Sequence, residues 1–257
     1  MDLTVCMIVR NEEKNLADAI KSILPLRCKV IVGDTGSTDQ SKNIALSMGA
    51  QVIDVTWKND YSFARNQLLK HVTSKWVLIL DADEIVPEKT LIQIPQLIAS
   101  PQLQGVVVLN ALRVSPNEQR QEKNVFSRFL FNFNSGLIFN GVVHETVQHS
   151  SEKVKRYDCP QLKVVHKIPN NLKQIKKHNY YIHLLLSQLE KDSLDKWLRL
   201  KYLKHYGDSL YALGYIEKAQ IAYLQSLDIA FENPSDNRQF IKYISHIISK
   251  PPFSQAN

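Results

Sequence analysis

Residues 76–84 read Trp-Val-Leu-Ile-Leu-Asp-Ala-Asp-Glu, a short apolar run that stops abruptly at carboxylates. Five consecutive apolar residues are too few for an ordinary helix and read as a strand buried on both faces, as in parallel sheets. At a strand end, Asp81 and Asp83 stand two residues apart and project to the same side. Two hard oxygen donors then face one site. Such donors suit Mg²⁺ or Mn²⁺, ions that keep positions open for substrate phosphates. In an arbitrary acidic loop an Asp-x-Asp triplet is a solvated turn. The buried strand in front of it gives this triplet its meaning.

Working upstream, the same alternation recurs. Residues 3–9 (LTVCMIV) form a continuous apolar run, and Leu16, Ala19, Ile20 and Ile23 then repeat at helical spacing. A second strand is expected at Val30–Val32, a helix at Ser41–Met48, a third strand at Val52–Val55 and a helix at Phe63–Val72, before the fourth strand at Trp76–Leu80. This order predicts an α/β fold, a Rossmann-like, mostly parallel central sheet flanked by helices, with ligands at the carboxyl ends of the strands. Arg10–Glu13, Asp34–Asp39 and Asp81–Glu84 lie at those ends, so three loops should converge on one crevice.

Downstream of Pro87 the pattern changes. A helix is expected near Glu88–Ile98, with strands near Gly105–Leu112, Val125–Phe131, Val142–Gln148 and Leu162–His166 as mixed-sheet additions. From about Leu172 the chain reads as helical, and Gly207, Gly214, Ala219 and Tyr223 have the spacing of one tetratricopeptide-like helix pair within Leu203–Tyr223. The expected organisation is a catalytic domain over 1–170, with a nucleotide-binding half near 1–100 and an acceptor half near 101–170, followed by a helical extension over 171–257.

The 257 residues carry a formal net charge of +7, which favours anionic partners such as nucleotides or lipid headgroups. Lys173, Lys176 and Lys177 contribute a cluster that reads first as a solvated helix face. No stretch reaches the roughly 20 apolar residues of a membrane span. The amino terminus lacks the basic-then-apolar order of a secretion signal. Cys6, Cys28 and Cys159 are odd in number and show no paired metal-ligand spacing, arguing against a disulfide framework or structural zinc. A cytoplasmic setting is expected, with the inner face of the membrane left open.

The segment VIVGDTGSTDQS places small, turn-forming residues between a strand and a helix, so its backbone can approach a ligand closely. Asp34 at its centre could accept hydrogen bonds from a base or ribose. Asp39 or Ser37 is expected to cap the following helix.

Together, VCMIVRNEEKNLADAIKSI, VIVGDTGSTDQSKNIA, YSFARNQLLKHVTSKWVLILDADE and FNGVVHETV resemble a family 2 glycosyltransferase of the GT-A fold over about residues 1–170. The subgroup it most resembles carries a helical or tetratricopeptide-like tail and includes bacterial lipopolysaccharide-core glucosyltransferases and peptide S-glycosyltransferases. The resemblance implies that Arg10 and Glu12 border the nucleotide base, that Asp34 binds the base, usually uracil, and that Arg65 contacts the nucleotide or its phosphates. It implies further that Asp81 approaches the ribose or metal, that Asp83 binds the metal directly, and that His166, in the late position where the family often places a histidine, completes that site. Oxygen and nitrogen donors together would favour Mn²⁺ somewhat over Mg²⁺. The acidic pair that often supplies the family's base is not evident at its usual place. Glu145 is the substitute, as general base of an inverting transfer, with His144 orienting it or the acceptor.

The expected donor is a UDP-sugar or another nucleotide-diphosphate sugar, and the acceptor a glycan, a lipid-linked sugar or a peptide. Nucleic acid is not expected as a partner. Peripheral membrane association and a homodimer through the helical tail stay open. Two rival readings remain beside the transferase: a sugar nucleotidyltransferase, whose glycine-rich loop is missing from VRNEEKN, and a non-catalytic scaffold built on the same fold.

Overall fold

The computed structural model describes residues 1–101, 103, 107–114, 125–132, 136–151, 153–167 and 171–250, with the backbone alone for 125–132. Contacts divide the chain into two compact units, Met1–Asn140 with Glu145–Ile168, and Gly141–His144 with Pro169–Asn257.

The first unit is built on β1 (Leu3–Val9), which pairs in parallel with β2 (Lys29–Asp34) on one side and with β4 (Trp76–Ile79) on the other. β3 (Gln51–Asp54) extends the parallel edge beyond β2. The apolar runs are explained by burial on both faces. Leu3, Val5, Met7 and Val9 join one core with Trp76, Leu78 and Leu80, whereas Cys6, Val77 and Ile79 join a second core on the opposite face. α1 (Leu16–Ile23) covers the first core with Leu16, Ala19, Ile20 and Ile23, one stripe at 3.6-residue periodicity. α2 (Ser41–Ser47) and α4 (Glu88–Ile98) pack on that same face. α3 (Tyr61–Leu69) covers the other, capped at its start by Asp60, whose Oδ1 accepts from Phe63 N at 2.8 Å. α3 lies so close to β2 that a Cβ on Gly33 would sit 2.3 Å from Leu68 Cδ1, so a larger residue there would have to displace that side chain.

The remaining strands make the sheet mixed. β7 (Val125–Asn132) runs antiparallel to both β4 and β6 (Val107–Val114). β10 (Lys155–His166) runs parallel to β6, and the two-residue β5 (Glu84–Ile85) closes the edge antiparallel to β10, in the order β3-β2-β1-β4-β7-β6-β10-β5. β10 is longer than the expected Leu162–His166, and its register shifts between Cys159 and Lys163 around Pro160, which has no N–H for a ladder. The start of the strand expected from Gly105 lies outside the described residues.

One expected strand is corrected. Val142–Gln148 does not run as one element. β8 (Leu137–Asn140) and β9 (Thr146–His149) form a separate antiparallel hairpin, and residues 141–145 connect them. Gly141 and His144 have φ of 104° and 52°, and positive φ takes the backbone out of the extended region.

The second unit contains α5 (Asn171–Leu189), α6 (Lys196–Ala212), α7 (Ile216–Phe231) and α8 (Pro234–Ile248) around Leu210, Ala219, Tyr223, Leu227 and Ile244. Residues 203–223 fall in α6, its turn at Gly214, and α7. Gly207 is a contact point here, because a Cβ would lie 2.6 Å from the Tyr223 ring. No described helix is long and apolar enough to cross a membrane. Cys6, Cys28 and Cys159 are free thiols, and burial pushes Cys6 up to about 12, so it serves as packing.

Candidate active site

The sheet places the carboxyl ends of β1, β2 and β4 side by side, with Val9 opposite Asp34 and Cys6 opposite Ile79. The first two loops are laced together. Asn11 N donates to Ser37 Oγ at 3.0 Å, Thr38 N to Asn11 Oδ1 at 2.8 Å, Glu12 N to Ser41 Oγ at 2.7 Å and Gln40 N to Glu13 Oε2 at 3.1 Å. Asn11 adopts φ of 56°, a conformation asparagine tolerates better than most residues. Neither expected helix cap occupies the N-cap of α2, which is Gln40 without a side-chain cap hydrogen bond, although Asp39 accepts from Ser41 N at 3.0 Å.

Within this frame Asp34 is buried. Its Oδ1 accepts from Gly36 N and Ser37 N, both at 2.8 Å, while its Oδ2 is buried without a hydrogen-bond partner. A buried acceptor left unmade is costly, about 1–3 kcal/mol and more for a charged group. One fixed oxygen and one unsatisfied oxygen make Asp34 a preorganised acceptor. Arg10 stands exposed one residue beyond the β1–β2 ladder, and the Glu12 carboxylate accepts from Asn15 Nδ2 at 2.8 Å at the start of α1.

Arg65 forms a second group. Its guanidinium is buried on α3, with Nε 2.6 Å from Glu145 Oε1 and Nη2 2.9 Å from Asp81 Oδ1. Burial alone would lower its pKa, but the charges of Asp81 and Glu145 overcome this and raise it. Asn66, its neighbour, holds the β8 backbone at two points, donating from Nδ2 to Phe139 O at 2.9 Å and accepting at Oδ1 from Phe139 N at 2.8 Å. Consecutive residues of one helix thus fix both the hairpin and the acidic residue just before its return strand. Asn66 was not singled out in the sequence because its partner lies 73 positions away.

Asp83 and His166 form the third group. The β5–β10 pairing sets Glu84 opposite His166, and Lys167 N donates to Asp83 O at 2.8 Å, so the two chain segments are locked in register. His166 Nε2 lies 3.2 Å from Asp83 Oδ2, yet neither ring nitrogen has a hydrogen-bond partner, although both are buried. Asp83 and His166 together could offer a divalent cation one oxygen and one nitrogen donor. The Asp81 carboxylate is turned onto Arg65, and no cluster of three metal-ligating side chains occurs among the described residues. Glu84, buried beneath the loop, accepts from Asp81 N at 3.0 Å. Burial and the neighbouring Asp81 charge push it up to about 8.

His144 goes elsewhere. Its ring stacks on His205 with centroids 3.8 Å apart and planes 10° apart, and meets Tyr181 edge-on at 5.4 Å. Burial holds His144 well below the ordinary histidine value and brings His205 down to about 4. Unfolded, His205 takes up its proton near 6.5. Between those values the unfolded chain binds more protons, so this stabilisation is present above pH 6.5 and is lost as pH falls toward 4. His205→Phe is expected to flatten the fall of stability in that window by up to about 1.4 kcal/mol per pH unit. Glu84 acts oppositely between its ordinary value and about 8, so melting curves of variant and parent must be compared at each pH.

A cavity of about 1100 Å³ lies elsewhere, lined by Met1, Lys75, Trp76, Leu26, Val86 and Leu91 near the amino ends of β1 and β4. Its walls are mostly apolar, and none of the residues of the three groups lines it.

The model of glycosyl transferase family 2 matches residues 4–176. The prophage-derived glycosyltransferase SunS of Bacillus subtilis is 27% identical over 247 residues, 93% of this chain and 56% of SunS. The 4,4'-diaponeurosporenoate glycosyltransferase of Staphylococcus aureus is 34% identical over 110 residues, 40% of this chain and 29% of that protein. Among solved structures, S. aureus TarS residues 1–349 aligns with a TM-score of 0.52 at 14% identity, covering 96% of this chain and 87% of that one. The mannosyltransferase PcManGT of Pyrobaculum calidifontis, in complex with GDP-Man and Mn²⁺, aligns at 0.51 and 14% identity, covering 99% and 82%. The structural likenesses establish a common GT-A fold. The chain spans about half the length of SunS, 56%.

Proposed function

We propose, because this chain belongs to glycosyl transferase family 2, that it moves a sugar from a nucleotide-diphosphate sugar to a glycan, lipid-linked or peptide acceptor, with inversion at the anomeric carbon. The observation that carries the reading is a set of three groups: an unsatisfied Asp34 oxygen, the Arg65-bridged Asp81 and Glu145, and the buried His166 beside Asp83.

Asp34 presents its unpaired oxygen to a base N–H, which uracil offers, and a UDP-sugar is therefore the first donor to test. Asp83 and His166 would hold a divalent ion, with Mn²⁺ suited to the mixed donor set; bound there, such an ion stabilises negative charge on the departing diphosphate. PcManGT, solved with GDP-Man and Mn²⁺, supports this combination as one the fold accommodates. Arg65 orients Asp81 on the donor side and Glu145 on the acceptor side through one guanidinium. Glu145 takes the proton of the acceptor hydroxyl or thiol as its oxygen or sulfur attacks.

Asp34→Asn keeps an oxygen for Gly36 N and Ser37 N but replaces the unpaired oxygen with a donor. A hydrogen bond to a charged group contributes about 1.5–3 kcal/mol, so donor KM is expected to rise about 10- to 100-fold with kcat nearly unchanged, the pattern of uniform binding. A fall in kcat at unchanged KM would contradict the assignment. The reading as a whole is tested by screening UDP-, GDP-, ADP- and dTDP-sugars with Mn²⁺ for release of nucleoside diphosphate. Release from at least one, most readily a UDP-sugar, is expected. Release of pyrophosphate from a nucleoside triphosphate and sugar phosphate instead would favour a nucleotidyltransferase.

A further inference from the structure

We infer that Asn66 and Arg156 clamp the β8–β9 hairpin from its two outer edges and are positioning residues for Glu145 in the transfer; this rests on the reading of Glu145 given above.

β8 and β9 form a sheet of their own, in which Phe139 faces Val147 and both are buried. Asn66 takes both backbone groups of Phe139, its N–H at Oδ1 and its carbonyl at Nδ2. The N–H and C=O of one strand residue leave on the same side, so those of Phe139 point away from β9. Phe139 and Val147 are therefore a non-hydrogen-bonded pair of the antiparallel ladder, and the carbonyl of Val147 also points outward. There it accepts from Arg156 Nη2 on β10. A side chain from α3 and a side chain from β10 thus hold opposite edges of the hairpin at one level. A two-stranded hairpin is marginally stable by itself, and these anchors supply what flanking strands supply in a larger sheet. Asn140 Nδ2 adds a clip across the strands, donating to Gln148 Oε1 at 3.0 Å.

Glu145 directly precedes β9 and stands two residues before the clamped Val147, a span of at most about 7 Å. Its carboxylate meets Arg65 Nε at 2.6 Å, and Arg65 is the residue before Asn66 on α3. The Arg65 guanidinium carbon also lies 5.8 Å from the centroid of the Phe139 ring. Two consecutive residues of α3 therefore set the group that receives the carboxylate and the strand pair that carries its backbone. The hydrogen bonds of Asn66 go to Phe139, so their loss should fall on the base and spare the donor groups Asp34, Asp83 and His166.

Asn66→Ala removes both bonds to Phe139, and Arg156→Met keeps the aliphatic arm of an exposed side chain while removing its donor to Val147. Misplacement of a reacting group by 1 Å can cost about 100-fold, and the expected falls in kcat are about tenfold for Asn66→Ala and about threefold for Arg156→Met. Donor KM and UDP affinity should stay at parental values. Each substitution is then repeated in Glu145→Gln, where no base is left to position. Residues that act through one another are non-additive, so the further loss there should be less than about twofold. Parental kcat in Asn66→Ala would overturn the inference, and so would the same fold-loss in both backgrounds, which is what a general loosening of the fold would give. Should Asn66→Ala not fold, Arg156→Met decides by the same two comparisons. A parental rate in Glu145→Gln alone is a separate failure, because it removes the base assignment and the inference with it.

Discussion

Asp83→Asn is expected to lower kcat by about 10²- to 10³-fold while leaving the fold intact, the scale seen when one electrostatic stabiliser of a developing charge is removed. Asp83 is 28% exposed at its side chain and supports no core, so the substitution removes charge with little change in packing. His166 sits opposite Glu84 in the β5–β10 ladder, which remains when the carboxylate becomes an amide. Chelation with EDTA should reproduce the loss in the parent, and excess Mn²⁺ should restore it there but not in the variant. Full turnover in EDTA would remove the cation from the account.

Glu145→Gln carries the other large effect. Loss of a general base typically forfeits about 10²- to 10⁴-fold in rate. Glutamine retains an oxygen for Arg65 Nε, and Arg65 keeps Asp81, so the buried guanidinium is not stranded. The loss should therefore fall on kcat, with nucleotide affinity preserved. It should be smaller for a thiol acceptor, which ionises more readily near neutral pH. Anomeric retention in the product would exclude single displacement independently. A parental rate in Glu145→Gln would place the base elsewhere and leave the donor side of the account standing.

The architecture of the first hundred residues was legible because it is local. WVLIL and LTVCMIV announce strands buried on both faces, and Leu16, Ala19, Ile20 and Ile23 mark one helix stripe. The family motifs add the order of the loops. What escaped the sequence depends on pairs far apart in the chain. Asn66 gains its role from Phe139, and Arg65 ties residues 16 and 80 positions onward. Glu84 looked like one more loop carboxylate and is buried beside His166 only because a two-residue strand pairs there. The expected strand at Val142–Gln148 failed for a different reason. Its valines favour extended backbone, but positive φ at Gly141 and His144 breaks the run, and the partners of that loop lie about sixty residues downstream. A strand-end histidine next to a glutamate suggests a working pair. The folded chain sends His144 to His205 and Glu145 to Arg65.

The central claim, a nucleotide-diphosphate site completed by a cation at Asp83 and His166, is tested most directly by calorimetric titration of UDP into the full chain with Mn²⁺ and with EDTA. The account predicts binding that is at least about tenfold tighter with Mn²⁺, a difference of about 1.4 kcal/mol, and loss of that difference in Asp83→Asn. Equal affinity for UDP with and without the cation in the parent would contradict it.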